Sequence, residues 1–237
     1  MRIETPLFCT IVAATLCSCS VVHKNYKDSF ADGYYRSRIF NDEQSKVYVA
    51  NKNDSILVYS LTNDNQLNYN LTKVVTFNTE ELTNMALNTL VFKHMSADLD
   101  FLTVLTKYRF ATGDVPGQMN TNLSGAAFIG LRNDIYQMKY PRTPLNTYQR
   151  RITHYGFSLG FFSGFGGTPV NQWVTNYNVT SEYDGVTWIN GFAGIIGIDR
   201  TSFGLTLGWD NLLDSNKKYW IYQGKPWIGL AITLNLN

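Results

Sequence analysis

The feature that most constrains this chain is a period-two alternation in its last third, in which both faces are unusual. Over 155–165 one face carries Tyr155, Phe157, Leu159, Phe161 and Phe165, and the other Gly156, Ser158, Gly160, Phe162 and Gly164. Over 202–210, Phe203, Leu205, Leu207 and Trp209 oppose Ser202, Gly204, Thr206, Gly208 and Asp210. Over 227–237, Ile228, Leu230, Ile232, Leu234 and Leu236 oppose Trp227, Gly229, Ala231, Thr233, Asn235 and Asn237. The segment 186–198 repeats the pattern, with Val186, Trp188, Phe192, Ile196 and Ile198 against Gly191, Ala193 and Gly197. Side chains alternate across a strand, so each segment has one greasy face and one small or polar face. A sheet with one wet face would carry Lys and Glu on it. Small residues instead suit the crowded interior of a narrow closed barrel. The segment lengths approach the ~9–11 residues that a tilted strand needs to cross hydrocarbon. The pattern predicts an all-β fold, an antiparallel up-and-down transmembrane β-barrel.

Composition agrees. Charged residues are 16% of the chain, below the roughly 25% of a typical soluble domain. The net charge of +2 gives no field for nucleic acid. Segments at 99–110 and 124–138 bring the strands to six. Leu102, Val104, Tyr108 and Phe110 share one face of the first, and Ala127, Ile129, Leu131 and Ile135 one face of the second. Single-chain bacterial barrels have at least eight strands. About eight are therefore expected here, the remaining two at about 55–62 and 68–78, with 88–95 as a rival. The barrel is assigned to 46–237.

Connection lengths give the strands a direction. Residues 111–123, 166–185 and 211–225 read as long loops and Asp199-Arg200 as a tight turn, while 140–152 is long for the short-turned side. Outer-membrane barrels have short periplasmic turns and longer extracellular loops. With the chain end in the periplasm, Trp188, Trp209 and Trp227 are expected in an aromatic girdle at the outer rim, and Tyr136 and Tyr155 at the inner one. Charges inside the predicted strands, Lys107, Arg109, Arg132 and Asp134 together with Asp210, must then face the lumen. Gly113, Gly117, Gly166, Gly167 and Asp184-Gly185 read as turn residues.

All three cysteines lie within the first 19 residues. Arg2 opens a short basic region, Leu7 to Leu16 is an apolar run too short to span as a helix, and Leu16-Cys17-Ser18-Cys19 resembles the bacterial lipobox. Residues 1–18 are therefore expected to be a lipoprotein-type signal peptide, with Cys19 lipidated. Acyl chains on that residue would anchor the chain stably. Residues 19–45 read as a tether or short periplasmic segment. Short β-runs follow at 34–39, 46–50 and 56–61, and 79–90 has helical character.

The stretches Asp210-Asn211-Leu212-Leu213-Asp214, Tyr219 to Trp227, Asp98-Leu99-Asp100-Phe101-Leu102-Thr103 with Lys107-Tyr108-Arg109, and Glu182-Tyr183-Asp184-Gly185 resemble uncharacterised small outer-membrane β-barrel proteins and lipoproteins of Bacteroidetes. The resemblance covers roughly 90–237 and implies architecture and an outer-membrane location, not an activity. Surface lipoproteins of these bacteria often carry acidic residues after the lipidated cysteine. Ser20-Val21-Val22-His23-Lys24 follows here, which implies an anchor in the periplasmic leaflet.

Three histidines, at 23, 94 and 154, lack the spacing of metal ligands, so neither metal nor cofactor is expected. His154 and Ser158 lie ~13 Å apart along a strand, too far for a catalytic pair, and no enzyme is expected. The expected role is structural or partner-binding. The alternatives are a small-solute channel, a lipid-modifying enzyme and a soluble, lipid-anchored ligand-binding barrel. Expected partners are outer-membrane lipid and, at the loops, lipopolysaccharide or protein; Asn216 to Tyr222 mixes cations with aromatics suited to that contact.

Overall fold

The computed structural model describes residues 30–40, 43–52, 55–61, 74–77, 89–146, 148–198 and 201–235. The expected signal peptide, Cys19, most of the helical stretch at 79–90 and the turn at 199–200 lie outside the described residues. Among the described residues there is no α-helix. The strands are β1 (Gly33–Ser37), β2 (Ser45–Lys52), β3 (Ser55–Ser60), β4 (Val74–Phe77), β5 (Leu90–Arg109), β6 (Gln118–Asn120), β7 (Ser124–Lys139), β8 (Arg151–Val170), β9 (Tyr183–Ile198), β10 (Thr201–Leu212) and β11 (Pro226–Asn235).

Strands β5, β7, β8, β9, β10 and β11 pair in chain order, all antiparallel. β11 then returns to β5, from Trp227 opposite Arg109 to Asn235 opposite Asp100, and closes a ring of six. The expected count of about eight is thus too high. The upper half of β5 meets β11, while its lower half meets β1 through Arg36–Lys93 and Ser37–Phe92. The segments at 88–95 and 99–110 are therefore one strand of 20 residues. β3 and β4 do form near 55–62 and within 68–78, but in a lower sheet ordered β5-β1-β2-β3-β4, outside the ring. The ring can close this tightly because its inner face is small. A Cβ on Gly160 would collide with the β7 backbone and with the Phe128 ring, so inward glycines make the space that inward aromatics fill.

β8 and β9 also run further than their glycines suggest. Gly166, Gly167 and Gly185 lie inside strands rather than turns, and the loop between them spans only 171–182. Gly113, at φ +60°, does sit in a turn that needs a residue free of Cβ.

The faces follow the predicted alternation on β7 to β11, with one correction on β5. Leu102 and Val104 are fully buried, not outward, whereas Phe101, Leu105, Tyr108 and Phe110 are exposed. The pairing with β11 slips at Leu230/Ala231, where Leu230 faces Thr106 and Ala231 faces Val104. The extra residue, Leu105, is a bulge, and a bulge inverts the parity of everything beyond it.

Candidate functional site: the interior of the ring

The interior is a stack of layers. In the middle lies an apolar cluster that includes Leu102, Val104, Phe128, Phe162, Ile189 and Ile195. Below it, Val47, Val49, Val58, Phe92, Tyr136 and Met138 form a second core between the lower ends of β5 and β7 and the sheet of β1 to β3. Above, Val170, Val174, Leu212, Trp220 and Tyr222 form a third, drawn partly from the loops at 171–182 and 213–225. Between the three cores lie two layers of charge.

The upper charged layer centres on Asp210. Lys107 Nζ donates to both of its oxygens at 3.2 and 3.3 Å, Trp227 Nε1 donates at 2.7 Å, and Arg109 Nη2 donates to Oδ2. Lys107 and Asp210 are fully buried. Lys107 also sits 4.9 Å from the Trp227 ring centroid, and the Arg109 guanidinium lies 5.2 Å from that of Trp220 and 5.3 Å from that of Tyr222. Such charge-assisted bonds and ring contacts compensate desolvation that would otherwise expel the charges.

The lower charged layer centres on Asp134. Arg132 Nε donates to Asp134 Oδ1 at 2.7 Å, and His154 Nε2 lies 2.6 Å from the same atom. The Tyr136 ring stacks on His154 at 4.5 Å. Ser158 Oγ donates to Asp98. His154 and Ser158 therefore engage different carboxylates rather than each other.

Lys107, Arg109, Arg132 and Asp134 all point inward and are buried. The sequence reading did not include Asp98 and Asp100 with them, although both are 1% exposed. They share the Leu102 face below the Leu105 bulge, so counting down from Lys107 at unbroken parity puts them outside. Of the expected girdle, Trp188 and Tyr155 face outward and are exposed, and Trp209 faces outward and is partly covered. Two members are corrected. Trp227 is wholly buried among Lys107, Asp210 and Phe162, because it shares a face with Gly229 and Ala231. Tyr136 is 4% exposed and points in with Arg132 and Asp134, four and two residues away on the same face.

The upper mouth is covered by its loops. Ile221 N donates to Val174 O at 3.0 Å and Gly224 N to Asp210 O at 2.9 Å, tying the loop at 213–225 both to its neighbour and to the ring. Asp214 caps the turn Ser215–Lys218 by accepting from Asn216 N and also accepts from the Tyr183 hydroxyl, each at 2.7 Å. This loop divides its residues: Trp220 and Tyr222 face in, while Lys217, Lys218 and Tyr219 are exposed. Among the described residues no group of His, Cys, Asp and Glu is arranged to hold a metal ion. No protein-family model, curated protein or solved structure matches the chain.

Proposed function

We propose that this chain is an integral outer-membrane protein, a sealed six-stranded transmembrane β-barrel that carries a small periplasmic sheet and has a structural or partner-binding role. The observation that carries this reading is inverted polarity. Charges are buried inside the ring, while Leu131, Leu159, Phe192, Phe203, Leu205 and Leu230 are among the many apolar side chains exposed outside it. From Tyr155 to Phe165, and along the matching rows of β7, β9, β10 and β11, no outward position carries a charge; on β5 only Lys93, in the Tyr155 row at the lower edge, does. Those ten steps of strand measure ~33 Å, or ~25 Å along the axis at the tilt usual for membrane barrels, the height of their apolar band. Soluble monomers rarely expose contiguous apolar patches beyond a few hundred Å². A soluble ligand-binding barrel would need these faces turned inward.

On this reading the loop side, with exposed Lys217 and Lys218, faces outward toward lipopolysaccharide or protein. The sheet of β1 to β4 lies in the periplasm, and Cys19, ahead of it in the chain, carries the lipid. The filled interior favours a plug over a small-solute channel. The test is extraction and gel mobility of a Cys19→Ser protein. Membrane retention until detergent is added, with heat-modifiable mobility, is the expected result. Release as a soluble monomer overturns the proposal.

A further inference from the structure

The upper charged layer holds two cations, Lys107 and Arg109, and one carboxylate, Asp210. That carboxylate already accepts from Lys107, Arg109 and Trp227. Two rim carboxylates are engaged elsewhere, Asp214 by Tyr183 and Asp184 by Asn122. Three further donors lie just above, each in a side chain no more than 3% exposed: Arg109 Nε, Trp220 Nε1 and the Tyr222 hydroxyl. None has a hydrogen-bond partner among the described residues. The three side chains form one triangle, with the guanidinium 5.2 and 5.3 Å from the two ring centroids and the rings 6.0 Å from each other. Burial raises the Tyr222 hydroxyl above its ordinary pKa, against the lowering pull of Arg109, so it keeps its proton to donate.

We infer that Arg109, Trp220 and Tyr222 form a buried site for a monatomic anion of halide size. A buried surplus positive charge with no counter-ion is costly, and so is each unmade hydrogen bond; one anion accepting from the three donors relieves both. The class follows from chemistry and room. Arg109 Nε and Trp220 Nε1 can only donate, the Tyr222 hydroxyl can donate as well, and the Arg109 guanidinium beside them repels a cation. Val174 and Leu212 pack with Trp220 and Tyr222 in one buried apolar cap, a setting that suits a small ion better than an organic acid. The site lies at the upper mouth of the ring, under the loop at 213–225, and does not depend on what surrounds the ring's outer face.

The test uses the full chain in detergent and in crystals. Melting is followed against sodium bromide, with ionic strength held constant by sodium gluconate. A saturable rise is expected, ~3–6 °C at ten times the dissociation constant for a chain of this size. It should be lost in Tyr222→Phe and weakened in Trp220→Phe. In wild-type crystals grown with bromide, an anomalous peak is expected within hydrogen-bond distance of Arg109 Nε and the Tyr222 hydroxyl, which keeps the test open if a variant fails to fold. Water at that position overturns the inference, as does an unchanged bromide response in Tyr222→Phe. A peak without a saturable response in solution means binding at crystal concentration only and overturns it too.

Discussion

Asp210 shows how much one interior residue holds. Its carboxylate is the shared acceptor for two buried cations and an indole. Removing one partner from a buried ionic group strands the others, at a cost of about 3–5 kcal/mol. Asp210→Ala should therefore lower the unfolding free energy by that amount, read from a lower denaturant midpoint, and adding Lys107→Met to it should restore part of the loss. Gly208 sits against the Trp227 ring with no room for a Cβ. Gly208→Val should cost about 1–3 kcal/mol by overpacking, read in the same unfolding assay. Outside the ring, burial pushes the Tyr35 hydroxyl up to about 12. A group whose folded pKa lies above its unfolded value of about 10 contributes stability that is present below pH 10 and is lost as pH rises through 12. Melting temperature should fall over that interval more steeply in the wild-type chain than in Tyr35→Phe.

At the scale of strands, alternation was legible because its period is short and both faces differ in kind. β7 to β11 follow it residue by residue, and it already put Trp227 on the Gly229 face. Trp227 stands at the height of the girdle along β11, but on its inward face. The Leu105 bulge was not legible, since an inserted residue has no composition of its own and betrays itself only through the partner strand. That is why Leu102, Val104, Asp98 and Asp100 ended on unexpected faces. The outward face offers a sharp experiment. Leu205 is 65% exposed. On a protein facing water, Leu205→Arg should change stability by no more than ~0.5 kcal/mol. Facing the middle of a bilayer it should cost ~2–4 kcal/mol, measured by unfolding in lipid vesicles.

For the whole molecule, the strand count was the least legible quantity. A rule drawn from larger barrels asked for two more strands, and the sequence offered β3 and β4, which lie outside the ring in the extension that runs from β5 through β1. Local pattern says that a segment is extended but not which edge it joins, and β5 joins two. The stacked interior was legible only in part. Gly, Ser and Thr signalled a narrow lumen, but alternation within single strands does not show that the rings of Phe128 and Phe162 meet to fill it. With three apolar cores on one axis, the purified protein should give no channel steps in planar bilayers. Conductance in the wild-type chain would show that the cap and the central cluster part.

The ring's last pairing also sets an order of assembly. Every other ring contact joins neighbours along the chain, whereas β5 and β11 meet across more than a hundred residues. Closing so long a loop is the slow, entropically costly step of folding. Lys107 and Asp210, 103 positions apart, touch only when that seam has zipped. Their contact is thus a clock hand for closure. Until it forms, the chain is an open ribbon with two sticky borders, and that interval is when a second copy or a chaperone has its best chance to engage it.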